Sequence, residues 1–384
     1  MFPGVSDIFN YLFGTNSQIH FPPTFGMMVA ISFVIAAITL RKELKRKYHS
    51  GIISHQDITI AAKNEIAFSE YASSFVFAFL LGFKLFYIIQ NANIFFSNPA
   101  AILLSIKGNL SGGLLLGIGA LMLKWYEHYQ LKRNPIKEKK ERIYPHHLTY
   151  EIALYAAIGG VIGAKVFNAL EDWDAFISDP MGMLLSGSGL TFYGGLIVGA
   201  ATVFWYARKN NIPLLVLCDA AAPGLILAYA IGRIGCQLSG DGDWGIVNLA
   251  PKPSWFIFPD WAWSFTYPNN VLGEGLPITG CEGKYCYALA QPVFPTPIYE
   301  TAAGTLIFGI LWMIRKKIAT PGKLFCVYLF FNGLERFLIE PIRTNSQYHI
   351  ADLSFTQAQF ISIVLLIAGA VGYLFLKNKT YAKR

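Results

Sequence analysis

The sequence predicts an all-α fold: a polytopic bundle of about nine membrane-spanning helices. It places the N-terminus outside, the C-terminus in the cytoplasm, and an irregular outer loop region at about 234–296. Three observations carry this expectation. Of 384 residues, 54% are hydrophobic and 14% charged, whereas a soluble domain carries about 25% charged residues. Apolar runs recur at roughly 24–40, 70–90, 110–126, 150–170, 190–207, 212–232, 297–314, 322–340 and 357–376, each near the length a bilayer needs. Lys and Arg, finally, gather in alternate connections.

In order, the stretch before Phe25 has neither a basic n-region nor a small-residue cleavage site, so no cleaved signal peptide is expected. The first run leads into Arg41, Lys42, Lys45, Arg46, Lys47 and Lys63, and the third into Lys124, Lys132, Arg133, Lys137, Lys139, Lys140 and Arg142. Arg208 and Lys209 follow the fifth, Arg315 to Lys317 and Lys323 follow the seventh, and the tail holds Lys377, Lys379, Lys383 and Arg384. The intervening connections hold only Lys107, Lys252, Lys284 and Arg343. This alternation fixes orientation by the positive-inside rule. The net charge of +8 is therefore a topological address and implies no nucleic-acid partner.

Region 82–114 resembles 163–196 at an offset of 81 or 82 residues. Gly82-Phe83-Lys84 answers to Gly163-Ala164-Lys165, Ser97-Asn98-Pro99 to Ser178-Asp179-Pro180, and Gly112-Gly113-Leu114 to Gly194-Gly195-Leu196. We expect one integral membrane domain over 1–384 in which about 69–145 is an inserted, duplicated two-helix unit.

Four cations, Lys84, Lys165, Arg233 and Arg336, lie within or at the ends of spans, where each costs about 2.5–3.5 kcal/mol at a helix centre. Such residues are candidates for function. Gly232-Arg233 opens a glycine-rich acidic stretch running through Asp241 to Gly245, and an arginine there offers a planar fork suited to phosphate. Asn332, Arg336, Glu340 and Arg343 share one helix face until Pro341 interrupts it. Polar groups on one stripe of a span point to a cavity, and Arg336 with Glu340 forms an i,i+4 pair. Tyr193-Gly194-Gly195 stands at a helix start, where free backbone N–H groups favour an anion. Asp219, Tyr299 and Glu300 add polar groups to otherwise apolar helices. Arg233, Arg336 and Arg343 together read as an outward-facing cationic trap for the phosphate of a membrane lipid. Cys281 and Cys286 read as a small disulfide hairpin in an outer loop. The seven histidines lack partners at ligand spacing, so no metal and no cofactor are expected.

These residues resemble the prolipoprotein diacylglyceryl transferase family of bacterial inner-membrane enzymes. The resemblance rests on Gly194-Gly195-Leu196, Cys218-Asp219 through Pro223-Gly224, Gly232-Arg233-Ile234-Gly235 with Trp244-Gly245, Pro295 through Glu300, and Arg336-Phe-x-x-Glu340-x-x-Arg343. It covers about 150–375 and the first span, leaving the second and third spans outside a seven-helix pattern. It implies transfer of diacylglyceryl from phosphatidylglycerol to the lipobox cysteine of a prolipoprotein signal peptide, with release of glycerol phosphate. Carried over, Arg233 and Arg336 hold the phosphate, Glu340 holds Arg336, and Asp241 stands at the family's acidic position. Gly194, Gly195, Gly245, Tyr299, Glu300, Asn332 and Arg343 complete a substrate-binding set. The chain departs from the family where Tyr193 replaces a histidine and Cys236 an asparagine, and where one extra residue precedes Trp244. Tyrosine ordinarily titrates near pH ~10 and histidine near ~6.5, so Tyr193 is the weaker base for activating a thiol. The alternatives are a transferase with another acceptor and a non-catalytic lipid- or lipoprotein-binding membrane protein.

Overall fold

A computed structural model describes residues 1–15, 20–60, 65–97, 102–103, 105–134, 139–185, 189, 191–281, 283–345, 347–350 and 353–376. Lys63, the Asn98-Pro99 pair, Lys137 and the terminal Lys377, Lys379, Lys383 and Arg384 lie outside the described residues. The longer helices are α1 (Val5–Phe13), α2 (Thr24–His49), α3 (Phe68–Gln90), α4 (Leu110–Arg133), α5 (Thr149–Glu171), α6 (Phe192–Lys209), α7 (Leu214–Ser239), α8 (Thr296–Ile314), α9 (Lys323–Ile339) and α10 (Gln357–Phe375). Among the described residues, α2, α3, α5, α7, α8 and α10 are long and apolar enough to cross a membrane. The protein is a polytopic helical membrane protein. Helices α4, α6 and α9 fall on the other three apolar runs.

The chain forms two compact units. The first comprises Met1–Ser54, Pro145–Ala153 and Ala207–Arg384; the second comprises His55–Tyr144 and Leu154–Tyr206.

The first unit is built around α7. Val216, Leu217, Ala220, Ala222, Ile226 and Ala230 are buried along it. Small residues let its neighbours approach: a Cβ on Gly235 would meet Met28 Cβ of α2 at 2.9 Å, and one on Gly304 of α8 would meet Ala230 Cβ at 3.1 Å. Ile226, Ile307, Leu311 and Leu324 form a core between α7, α8 and α9. The sequence ends the span near 232, but α7 runs on to Ser239. Gly232 and Gly235 are both helical, Gly235 packs against Met28 and Phe25 of α2, and Gly240 stops the helix in the left-handed region at φ 66°.

A charged rivet closes the other end of this unit. The Asp219 carboxylate accepts hydrogen bonds from Gly322 N and Phe325 N, each at 2.9 Å, capping α9 from a neighbouring helix. Lys47 Nζ lies 3.6 Å from Asp219, and Glu43 pairs with Arg46 at 2.8 Å and Arg315 at 2.7 Å. Asp219 therefore stands about 21 Å along α7 from Arg233, at 1.5 Å per residue. Its place is in this rivet, away from Glu300 and Tyr299.

In the second unit, α3 with α4 and α5 with α6 make the same kinds of contact. A Cβ on Gly82 would collide with Gly112 O, and one on Gly163 with Gly194 O. Lys84 Nζ donates to Ile102 O at 3.0 Å, and Lys165 Nζ donates to Met183 O at 3.1 Å. Each lysine thus satisfies backbone carbonyls of the segment that follows its own helix.

Candidate functional site

The clustered polar residues of the first unit meet where α7, α8 and α9 end or begin. Arg233 leaves α7 in its last two turns. Gly240 (φ 66°) and Gly242 (φ 94°) then turn the chain so that Asp243 faces back toward Arg233. Arg233 Nη1 binds Asp243 Oδ2, and its guanidinium lies 5.2 Å from the centre of the Tyr229 ring. Gly245 follows in a seam without room for a side chain. Its N–H donates to Phe294 O at 2.8 Å, and a Cβ there would collide with Ile342 O. Thr296 Oγ1 at the start of α8 donates to Asp243 O at 2.6 Å, fixing the turn onto that helix.

Glu300, fully buried one turn into α8, is the hub. Its Oε1 accepts from Arg343 Nη1 at 3.0 Å and Arg336 Nη1 at 3.4 Å. Its Oε2 lies 3.1 Å from Arg233 Nε, a close ion pair without hydrogen-bond alignment. Arg343 also donates from Nη2 to Asp243 Oδ1 at 2.6 Å. Arg336 Nη2 lies 3.0 Å from Glu340 Oε2, while Glu340 Oε1 accepts from Asn345 at 2.7 Å and Thr356 Oγ1 at 2.6 Å. Thr356 is also the N-cap of α10, in a capping box with Gln359.

Three guanidinium groups are thereby interleaved with three carboxylates. The sequence suggests a cationic trap in which Glu340 holds Arg336; the structure adds Glu300 and Asp243, so the trap is formally balanced. Three uncompensated arginines would repel one another in a poorly hydrated site, whereas shared carboxylates fix their orientation. Each arginine carries five N–H donors, so donors remain for an incoming anion. Arg343 Nε is buried without a hydrogen-bond partner.

The two loop aspartates differ. Burial works to raise the Asp243 carboxyl, but Arg233 and Arg343 outweigh it and hold the group below its usual range. Burial, then the neighbouring Asp243 charge, pushes Asp241 up, and its Oδ1 is buried without a hydrogen-bond partner. The acid that engages the arginines is thus Asp243, whereas the sequence points to Asp241. Cys236, Asp241 and Asp243 bring potential metal-binding atoms within 4.8 Å of one another. Arg233, however, already binds Asp243 and lies 3.8 Å from Cys236 Sγ, so a cation there would meet a fixed guanidinium.

The other expected residues are placed as follows. Tyr299 is half-buried and donates to Ala262 O at 2.8 Å, holding the long loop between α7 and α8 instead of facing the arginines. Asn332 is half-buried one turn before Arg336 and takes no part in the network among the described residues. Tyr193, Gly194 and Gly195 belong to the second unit, in the first turn of α6. There Gly194 is a close-packing position against Gly163 and Phe167, with Tyr193 half-buried and its ring edge-on to Phe192 at 5.7 Å. Cys281 and Cys286 are disulfide-bonded, as expected. Sequence reasoning passed over Asp243, Thr356 and Tyr229. Of these only Thr356 carried a readable signal, the Thr-x-x-Gln of a capping box.

A bundle of membrane-crossing helices that fixes three arginines around a buried carboxylate defines the class: a polytopic membrane protein with an interleaved cluster of charge where its helices meet. Residues 111–375 match the family model for prolipoprotein diacylglyceryl transferase, and the chain belongs to that family. It is 26% identical, over 70% of its length, to the phosphatidylglycerol–prolipoprotein diacylglyceryl transferase of Dehalococcoides mccartyi, covering 89% of that protein. The likeness to the enzyme of the same name from Clostridium tetani is 29% over 61% of this chain and 82% of that one. For Corynebacterium efficiens the figures are 30%, 58% and 66%.

Proposed function

We propose that this chain transfers the diacylglyceryl group of phosphatidylglycerol to the lipobox cysteine thiol of a prolipoprotein, releasing glycerol phosphate, and that the cluster around Glu300 is where it does so. The observation that carries this reading is the sharing of Glu300 by Arg233, Arg336 and Arg343. In the reaction the thiolate sulfur attacks the diacylglyceryl carbon, and the carbon–oxygen bond to phosphate breaks with its electron pair left on oxygen. A phosphodiester monoanion thus becomes a phosphomonoester that gains a negative charge. Guanidinium donors already oriented by carboxylates stabilise that charge without reorganising, and such preorganised stabilisation often contributes more to catalysis than any other effect.

Arg233 and Arg336 are assigned to the departing phosphate, Arg343 to its binding, Glu340 and Asp243 to holding the guanidinium planes, and Tyr193 to the incoming thiol. Gly245 gives the backbone its close approach. The same reading takes the nine helices α2 to α10 as spans, with the N-terminus outside, in a bacterial inner membrane. It also takes α3 and α4 as a second copy of the pair α5 and α6; the paired glycine and lysine contacts support this.

Purified chain in phosphatidylglycerol-containing bilayers, supplied with a lipobox peptide, tests the assignment. Arg233→Ala and Arg336→Ala are each expected to abolish transfer, since a charge-assisted hydrogen bond contributes about 1.5–3 kcal/mol before its unpaired partner is counted. Arg336→Lys is expected to fail as well, because an ammonium cannot form the bidentate fork. Tyr193→Phe is expected to slow turnover with lipid binding retained. Normal transfer by Arg233→Ala would overturn the site.

A further inference from the structure

The outer region carries a feature that transfer chemistry does not use. Residues 252–261 form a compact finger whose neck is closed by Lys252 and Asp260, with Nζ and Oδ1 2.5 Å apart. Within it, Phe256 N donates to Pro253 O at 3.0 Å and Lys252 Nζ to Phe258 O at 3.2 Å. Phe256 is half-buried, its ring 5.2 Å from Trp263, which in turn stands 5.8 Å from Phe294. Phe294 is the residue whose carbonyl receives Gly245 N, so a line of edge-on rings joins the finger to the seam beside the arginines. The outward side chains are large and apolar: Trp255 is 72% exposed, Ile257 87%, Phe258 59% and Trp261 50%. A polar loop in water does not carry such a patch without something to cover it.

We propose that this finger inserts into the interfacial layer of the bilayer, with Trp255, Ile257, Phe258 and Trp261 seated among lipid headgroups and upper acyl chains. Two observations select lipid as the occupant. The finger is tied at its base to a membrane-crossing helix: Tyr299 Oη, in the first turn of α8, donates to Ala262 O at 2.8 Å. The base therefore sits at the level where that helix begins, which puts the tip within reach of the interfacial layer favoured by tryptophan. The tip also carries no net charge, because its single cation and single anion neutralise each other at the neck. Insertion is thus independent of anionic lipid and of salt, unlike attachment through a basic patch. The finger fixes the height of the outer region, and through the ring line the height of Gly245 and its neighbours, relative to the lipid surface.

The test uses the full chain in nanodiscs of phosphatidylcholine, so that its outcome does not depend on the transferase reading. A nitroxide is attached at Ile257→Cys, with Lys284→Cys, an exposed position in the disulfide hairpin, as the reference and the unsubstituted chain as the background for native thiols. At 257, collisions with a water-soluble nickel chelate are expected to be largely lost and collisions with oxygen increased, relative to 284. The result should be unchanged on adding phosphatidylglycerol or salt. Equal chelate collisions at the two positions would overturn the proposal. So would protection that appears only when a lipobox peptide is added, since it would assign the finger to the acceptor. As a second readout, bromine-labelled phosphatidylcholine should quench tryptophan emission less in Trp255→Phe/Trp261→Phe than in the unsubstituted chain. Undiminished quenching would also overturn it.

Discussion

At the scale of single residues, the two loop aspartates separate by pH. Asp243 is held below the usual carboxylate range in the folded protein. Its contribution to stability is complete above the ordinary carboxylate pKa and fades as pH falls through the lowered value. Asp241 is held above that range. The folded state there binds a proton more readily than the unfolded chain, so stability falls as pH rises from the ordinary value through the raised one. Melting curves across roughly pH 3 to 8 are expected to show opposite effects for the two amides. Asp243→Asn should melt lower near neutrality and lose part of its acid dependence. Asp241→Asn should melt as high as the parent or higher near neutrality, with little change at acid pH. Parallel shifts would show that the two carboxyls share one environment. The sequence alone could not divide them. Arg336, Glu340 and Arg343 were legible because helical spacing dictates a shared face. Asp241 lies between Gly240 and Gly242, both at positive φ, and Asp243 directly follows Gly242, where no periodicity says which way a side chain points. The central place of Glu300 was hidden for another reason: within α8 it is simply one polar residue in an apolar run.

At the scale of elements, the ends of helices do most of the positioning. Thr356 caps α10 and at the same time donates to Glu340, which orients Arg336. Thr356→Val is expected to cost about 1 kcal/mol in helix capping and to slow transfer more than Thr356→Ser, which keeps the hydroxyl. Equal turnover by the two variants would detach the cap from the site. The glycines of α6 behave differently from what their position in the sequence suggested. A Gly-Gly at a helix start reads as an anion site, yet Gly194 is spent on contact with α5, where a Cβ would collide with Gly163 O. Gly194→Val is therefore expected to lower folded yield along with activity, whereas loss of activity at full yield would favour the anion role. Helix positions were legible from apolar length, and most ends fell within a few residues. The extension of α7 to Ser239 was missed because Gly232 and Gly235 read as its end, whereas the turn at Gly235 packs against α2, far away in sequence, and the helix stops only at Gly240.

At the scale of the whole molecule, the alternation of basic connections predicts which loops face the cytoplasm. Membrane-impermeant thiol labelling of intact cells checks it. An engineered thiol at Lys132→Cys should be labelled only after permeabilisation, and one at Lys284→Cys without it. The reverse pattern would put the arginine cluster on the face away from translocated lipoproteins. The composition, the order of the long helices and the family signatures all pointed to a membrane transferase. The second cluster of charge, around Asp219 and Glu43, was not legible as separate, because hydropathy marks polar residues within spans but not the end of the bundle they occupy. Its distance from Arg233 leaves α7 with a polar fastening at each end and an apolar middle.

The balanced charge of the arginine cluster has one more consequence, and it concerns how the enzyme lets go. Chemistry turns a weakly charged guest into a more highly charged one, which an unopposed set of cations would grip harder than the substrate it replaced. Asp243, Glu300 and Glu340 remain beside those cations throughout, as permanent competitors for the same N–H donors. If the cluster is the proposed site, those carboxylates would limit how far glycerol phosphate can clog it, and turnover would depend on them at departure as well as at arrival.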